Sequence, residues 1–129
     1  MEVTNLNDTY IQNLFEIEER DQDKFIQYYI DDQPFLYFTN GDSHFSGLNG
    51  IRYRLRKELS ENDWNTDGNT VNRDDTSKRG RVVGMGFARF YLDDRVVRLW
   101  GHSSTFRLHP NKEHMERIDE YIQDWKLKG

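Results

Sequence analysis

Two runs constrain this chain more than anything else in it. They are "RVVGMGFARFYL", residues 81–92, and "RVVRLWGHSSTFRLH", residues 95–109, with only Asp93-Asp94 between them. Both are rich in β-branched and aromatic residues, and so short a gap predicts an antiparallel hairpin. The second run is long enough to need a bend, and Gly101 is the natural place for it. Neither run alternates cleanly between apolar and polar positions. A sheet covered by helices on one face and by a partner subunit on the other reads this way, so a homodimer is expected.

Upstream, "NDTYIQNLFEIEER" opens on the N-cap types Asn7 and Asp8 and carries Ile11, Leu14, Phe15 and Ile17 as a helical stripe. A second helix is expected over 21–31, with Phe25, Ile26, Tyr29 and Ile30 on one side and Pro34 as its stop. "PFLYF" then reads as a strand. Asn40-Gly41 signals a tight turn into a short return strand over 43–46. "NGIRYRLRKELSE" follows as a helix capped by Asn49. Its Arg52, Arg54, Arg56 and Lys57 read as a solvated face more readily than as a phosphate site.

Residues 60–80 are polar and turn-rich, a lid, an excursion or a poorly patterned strand. Trp64 within them either plugs the core edge or covers a site. At the C-terminal end, Met115, Ile118, Ile122 and Trp125 fall at helical spacing, with a strand after "PNKEH" as the alternative. The order of elements predicts an α+β fold with an antiparallel sheet, as one domain over 1–129.

Composition removes several functions. Cysteine is absent, which excludes a disulfide framework and a thiol nucleophile. The net charge of −5 disfavours nucleic acid as a partner. No window has the apolar length of a membrane span, and "MEVTNLNDTYIQ" has no signal pattern, so a cytoplasmic protein without membrane contact is expected. "GMGFAR" lacks the third glycine of a dinucleotide fingerprint, and four scattered histidines make no metal spacing. No cofactor and no metal are expected.

The run "EERDQDKFIQYYIDDQPFLYFTNGDSHFSGLNGIRYRL" resembles the opening of the SnoaL-like branch of the nuclear transport factor 2 superfamily. "RVVGMGFARF" and "RVVRLWGHSSTFRL" resemble its central hairpin, and "HMERIDEYIQDW" resembles its closing strand. The resemblance implies a curved antiparallel sheet wrapped around N-terminal helices, a cone with a central pocket, and a convex face that makes a homodimer. It also turns the reading of 115–125 towards strand. Its members include isomerases, dehydratases, cyclases and non-catalytic binding subunits. "YFTN" lacks the carboxylate that the steroid isomerases carry there, whereas "GHSSTFRLH" is similar to the Gly-His strand of scytalone dehydratases.

On that basis His102 is the candidate proton-transfer group, with Asp119 orienting it from the adjacent strand. The plainer alternative for His102 is a hydrogen-bonded core histidine. Tyr37, Trp64, Trp100 and Tyr121 are the candidate pocket lining, against ordinary core packing. Three classes follow: an isomerase or lyase acting on a small apolar or aromatic molecule by proton transfer, a non-catalytic ligand binder, and a dimeric interaction module. A titratable pair converging in a closed pocket favours the first. A filled interior with a broad exposed surface favours the third.

Overall fold

The computed structural model describes residues 9–13 and 22–129. In chain order the elements are β1 (Ile11–Gln12), β2 (Gln22–Ile30), β3 (Gln33–Phe38), α1 (His44–Arg54), a 3-10 turn (Glu61–Asp63), β4 (Thr66–Asp67), β5 (Thr70–Val71), β6 (Gly80–Tyr91), β7 (Val96–Trp100), α2 (Lys112–Asp119) and β8 (Lys126–Lys128). The fold is mixed α+β, with a strongly curled, half-barrel sheet and, among the described residues, two α-helices. The sheet order is β1-β3-β2-β6-β7-β8, and β4 and β5 form a separate ribbon. Among the described residues no helix is long and apolar enough to cross a membrane.

The hairpin expected at 81–92 and 95–109 is present as β6 and β7, paired antiparallel from Phe87↔Trp100 to Tyr91↔Val96. β7 is short because Gly101 turns the chain with φ +75°, where a Cβ would collide with the Phe87 ring. The Asn40-Gly41 turn also forms, with both residues at positive φ. It leads into a helix instead of a return strand. Ser43 caps α1 by accepting from the Ser46 N–H at 3.1 Å, so the helix starts before Asn49.

Two expectations are overturned by strand-helix exchange. Residues 22–30 are a strand, not the second helix, and they pair with β3 on one side and β6 on the other. A strand buried on both faces is apolar almost continuously, so it satisfies helical spacing by accident. Residues 112–119 are helix, not the closing strand that the family resemblance implied. Asn111 caps α2 by accepting from the His114 N–H, and Met115 and Ile118 are its buried face. Only after Trp125 does the chain return as β8, parallel to β7. Of the first expected helix, Ile11–Gln12 is strand β1, parallel to β3, with turn at Thr9 and Tyr10 and a bend at Asn13; residues 7–8 and 14–20 lie outside the described residues.

Two cores fill the two faces of the sheet. Phe25, Leu36, Phe38, Phe90, Leu99, Ile118 and Trp125 pack beneath α2. Ile26, Tyr28, Leu48, Ile51, Trp64 and Met85 pack beneath α1. Between them the β2–β6 register slips at Gln27/Tyr28. There the fully buried Gln27 amide accepts from the Asn111 N–H at 2.7 Å and donates to the Asn111 carbonyl at 3.0 Å. Gly84 stands opposite, where a Cβ would strike the Gln27 side chain.

Gln27 also donates to His114 Nδ1 at 3.2 Å, and His114 Nε2 donates to the Tyr28 carbonyl at 3.0 Å. This pattern needs the neutral ring protonated on Nε2. Burial accordingly pushes the His114 pKa down from 6.5 to about 4.

The unfolded chain, with an ordinary imidazole near 6.5, therefore takes up the proton before the folded one does. Stability is expected to be full above pH 6.5 and to fall between there and about 4, by about 3 kcal/mol at the limit. His114→Leu should lose about 1–3 kcal/mol at pH 7, since Gln27 and Tyr28 each lose a partner. It should also flatten the acid slope between pH 6.5 and about 5, where His44, whose pKa burial lowers in the same direction, supplies a further part. Urea unfolding from pH 7 to 4 on both proteins checks this. Parallel slopes would show that His114 does not carry the acid sensitivity.

Candidate binding face

The residues expected to form one site lie in separate parts of the molecule. His102 is exposed, in the loop after β7. Asp119 ends α2 and accepts from the Leu127 N–H at 3.0 Å, so it anchors β8; burial raises its pKa. Asp119 does not face His102 from an adjacent strand, because 112–119 is helix. Tyr37 is half-buried on β3, with the Arg54 guanidinium 5.9 Å above its ring. Tyr121 stacks on Tyr10 at 4.2 Å.

Trp64 is core and not cover. It is 2% exposed, bridges to Gly80 and tilts against Tyr28. Its neighbour Asn65 fastens the segment, accepting from the Val82 N–H at 2.8 Å and donating to the Val82 and Asn72 carbonyls. A large ring in a polar run is explained by that anchorage.

Sequence reasoning missed three buried polar groups, Gln27, His44 and His114. It also missed a cluster in which Tyr28 donates to Gln12 while Arg54 donates to both, at 2.7 Å to Gln12 and 3.1 Å to Tyr28. Burial pushes the Tyr28 phenol up to about 12. That phenol stays protonated near neutrality and holds Gln12 in place; it is no base.

What the sheet does bring together lies on the face shared by Phe87, Arg89 and Tyr91 of β6 and Val96, Arg98 and Trp100 of β7. α1 covers the other half of this face, over Ile26 and Met85. Here the register places Phe87 opposite Trp100, Arg89 opposite Arg98, and Tyr91 opposite Val96. β8 extends two of these rows, with Lys128 beside Arg98 and Lys126 beside Val96. β2 adds Gln22 beside Arg89 and Lys24 beside Phe87. The result is three cross-strand rows: rings, then cations, then a ring with a cation.

Large rings in this patch meet water. Trp100 and Tyr91 are each 38% exposed. Phe87 and Trp100 sit 5.2 Å apart, tilted by 34°. A shallow depression of about 710 Å³ runs past Tyr91, Arg98, Lys126 and Lys128, with Asp94 and Asp124 also on its lining. Four other arginines form ion pairs elsewhere: Arg52 with Glu61, Arg73 with Asp74, Arg79 with Asp31 and Arg81 with Asp32. Among the described residues Arg89, Arg98, Lys126 and Lys128 are in none of them.

No family model, curated protein or solved structure matches this chain.

The two tryptophans should separate cleanly. Trp64→Ala removes a buried ring and is expected to cost about 3–5 kcal/mol. Trp100→Ala should stay within about 0.5 kcal/mol of the parent. Chemical denaturation of both variants is the measurement. A large loss for Trp100→Ala would make it a packing residue and remove it from the face.

Proposed function

We propose that this chain is a non-catalytic binding module whose working surface is the open half of the sheet, and that it takes an anion-rich partner. The observation that carries this reading is the cation row Arg89–Arg98–Lys128, laid across three hydrogen-bonded strands and flanked by exposed rings. Like charges directly opposite one another on a sheet are unfavourable. A row of them that forms no ion pair among the described residues is a cost that an anionic partner would relieve.

The proton-transfer enzyme expected from the SnoaL-like resemblance draws less support. It needs a titratable pair converging in a closed pocket, and His102 and Asp119 serve separate elements. The curled sheet agrees with that resemblance, while β2 stands where the family has helix. Homodimer formation through this same face is also disfavoured. A two-fold interface would press one cation row against its copy.

Two measurements follow. Despite a net charge of −5, the protein should be retained on immobilised heparin at neutral pH. Arg98→Glu with Lys128→Glu should pass through, whereas Arg73→Glu with Lys112→Glu, away from the face, should still be retained. Flow-through of the parent would end the reading. Sedimentation at micromolar concentration should show a monomer at physiological salt.

A further inference from the structure

We infer that the anion-rich partner is a single-stranded nucleic acid, with phosphates on the Arg89–Arg98–Lys128 row and bases stacked on Trp100, Phe87 and Tyr91. This rests on the binding-module reading and names its ligand. The argument is that cations alone do not explain the face. A sulfated glycan or an acidic peptide is satisfied by Arg and Lys. Neither gives a reason to leave a tryptophan and a tyrosine more than a third exposed beside them.

An unpaired base does give one. Every base has a π-face, and stacking on aromatic side chains is the sequence-tolerant half of single-strand recognition, the basic track being the other half. The Phe87–Trp100 pair forms a two-ring platform at one end of the patch. Tyr91 stands two rows away at the other end. Same-face residues recur about every 6.8 Å along a strand. Ring row, cation row and ring row therefore alternate along the strands, as base and phosphate alternate along an extended polynucleotide. Duplex DNA keeps its bases stacked on each other, so it can offer this face phosphates only.

The carboxylates nearby are consistent with this placement. Asp93 and Asp94 lie in the turn that joins Tyr91 to Val96, beyond the last row, and Asp124 lies in the segment leading to β8. They bound the patch at the turn end and leave the middle row to the phosphates. Lys24 adds a cation at the opposite end, beside Phe87.

The test is titration with short oligothymidylate and oligouridylate, following tryptophan fluorescence. Both oligomers should bind and quench; they differ in the base 5-methyl as well as the 2′-hydroxyl, so oligodeoxyuridylate beside oligouridylate reports whether the 2′-hydroxyl is read. With three phosphate contacts, one for each cation of the row, the slope of log Kobs against log salt should be about −2, and Arg98→Gln should make it shallower by about 0.7. Trp100→Ala should weaken binding about tenfold or more and abolish most of the quench, with Trp100→Phe restoring part of the affinity. Its retention on heparin should be unchanged.

Equal affinity for duplex of the same length, or no effect of Trp100→Ala, would overturn the inference in favour of a general polyanion surface. Heparin retention without oligonucleotide binding would sink the nucleic-acid assignment while sparing the binding face. Loss of both would sink the two together. A salt-stable dimer that excludes the oligonucleotide would assign the face to a second copy instead.

Discussion

The rest of this structure depends on one side chain, Gln27. Its buried amide meets both backbone groups of Asn111, acting as a piece of strand would, and so holds the start of α2 to the centre of the sheet. It can do this only because β2 slips register beside Tyr28 and because Gly84 leaves the space open. A bulge of this kind also increases local twist, in keeping with the curl of the sheet. From that contact the dependencies run outward. α2 covers one core, and Asp119 at its end receives the Leu127 N–H, which sets β8 beside β7. β8 in turn brings Lys128 into line with Arg98. The exposed cation row is thus fixed by a buried polar network on the opposite face of the sheet.

That network is also costly to misform. Gln27, His114, Asn111 and Tyr28 satisfy one another, and each would be a buried unpaired group without the others. Full satisfaction narrows the ways in which α2 can dock, where apolar Met115, Ile118 and Ile122 alone would tolerate sliding. His114 contributes this specificity only while neutral, which ties the docking of α2 to pH.

Legibility in the sequence followed locality. The β6–β7 pair, the bend at Gly101 and the Asn40-Gly41 turn were readable because each depends on a few neighbouring residues. Helix α2 was readable too, from the helical spacing of Met115 and Ile118. The closing strand that the family resemblance implies runs against that periodicity. β2 was not readable, because burial on both faces erases the two-residue period that marks a strand. The site residues fared worst. Trp64 and Tyr121 are packing. His102 is solvent-facing, whereas His44 and His114 are buried although turn-like sequence surrounds both.

Net charge is silent on the cation row for the same reason. A value of −5 averages over the chain and says nothing about how strands align. Arg89, Arg98 and Lys128 are far apart in sequence, with no basic run to mark them. Their neighbours Asp93, Asp94 and Asp124 cancel them in any local count. Only the cross-strand register separates the two signs, placing the acids in connecting segments and the cations on strands. The rings obey the same logic. Phe87 and Trp100 read as core residues in a β-rich run, and they would be core if α1 reached across them. It does not. Gly47 and Ile51 seat the helix over Ile26 and Met85, and His44 at its start approaches only the edge of Phe87. The reach of one eleven-residue helix therefore decides which half of this face is core and which half is open to solvent.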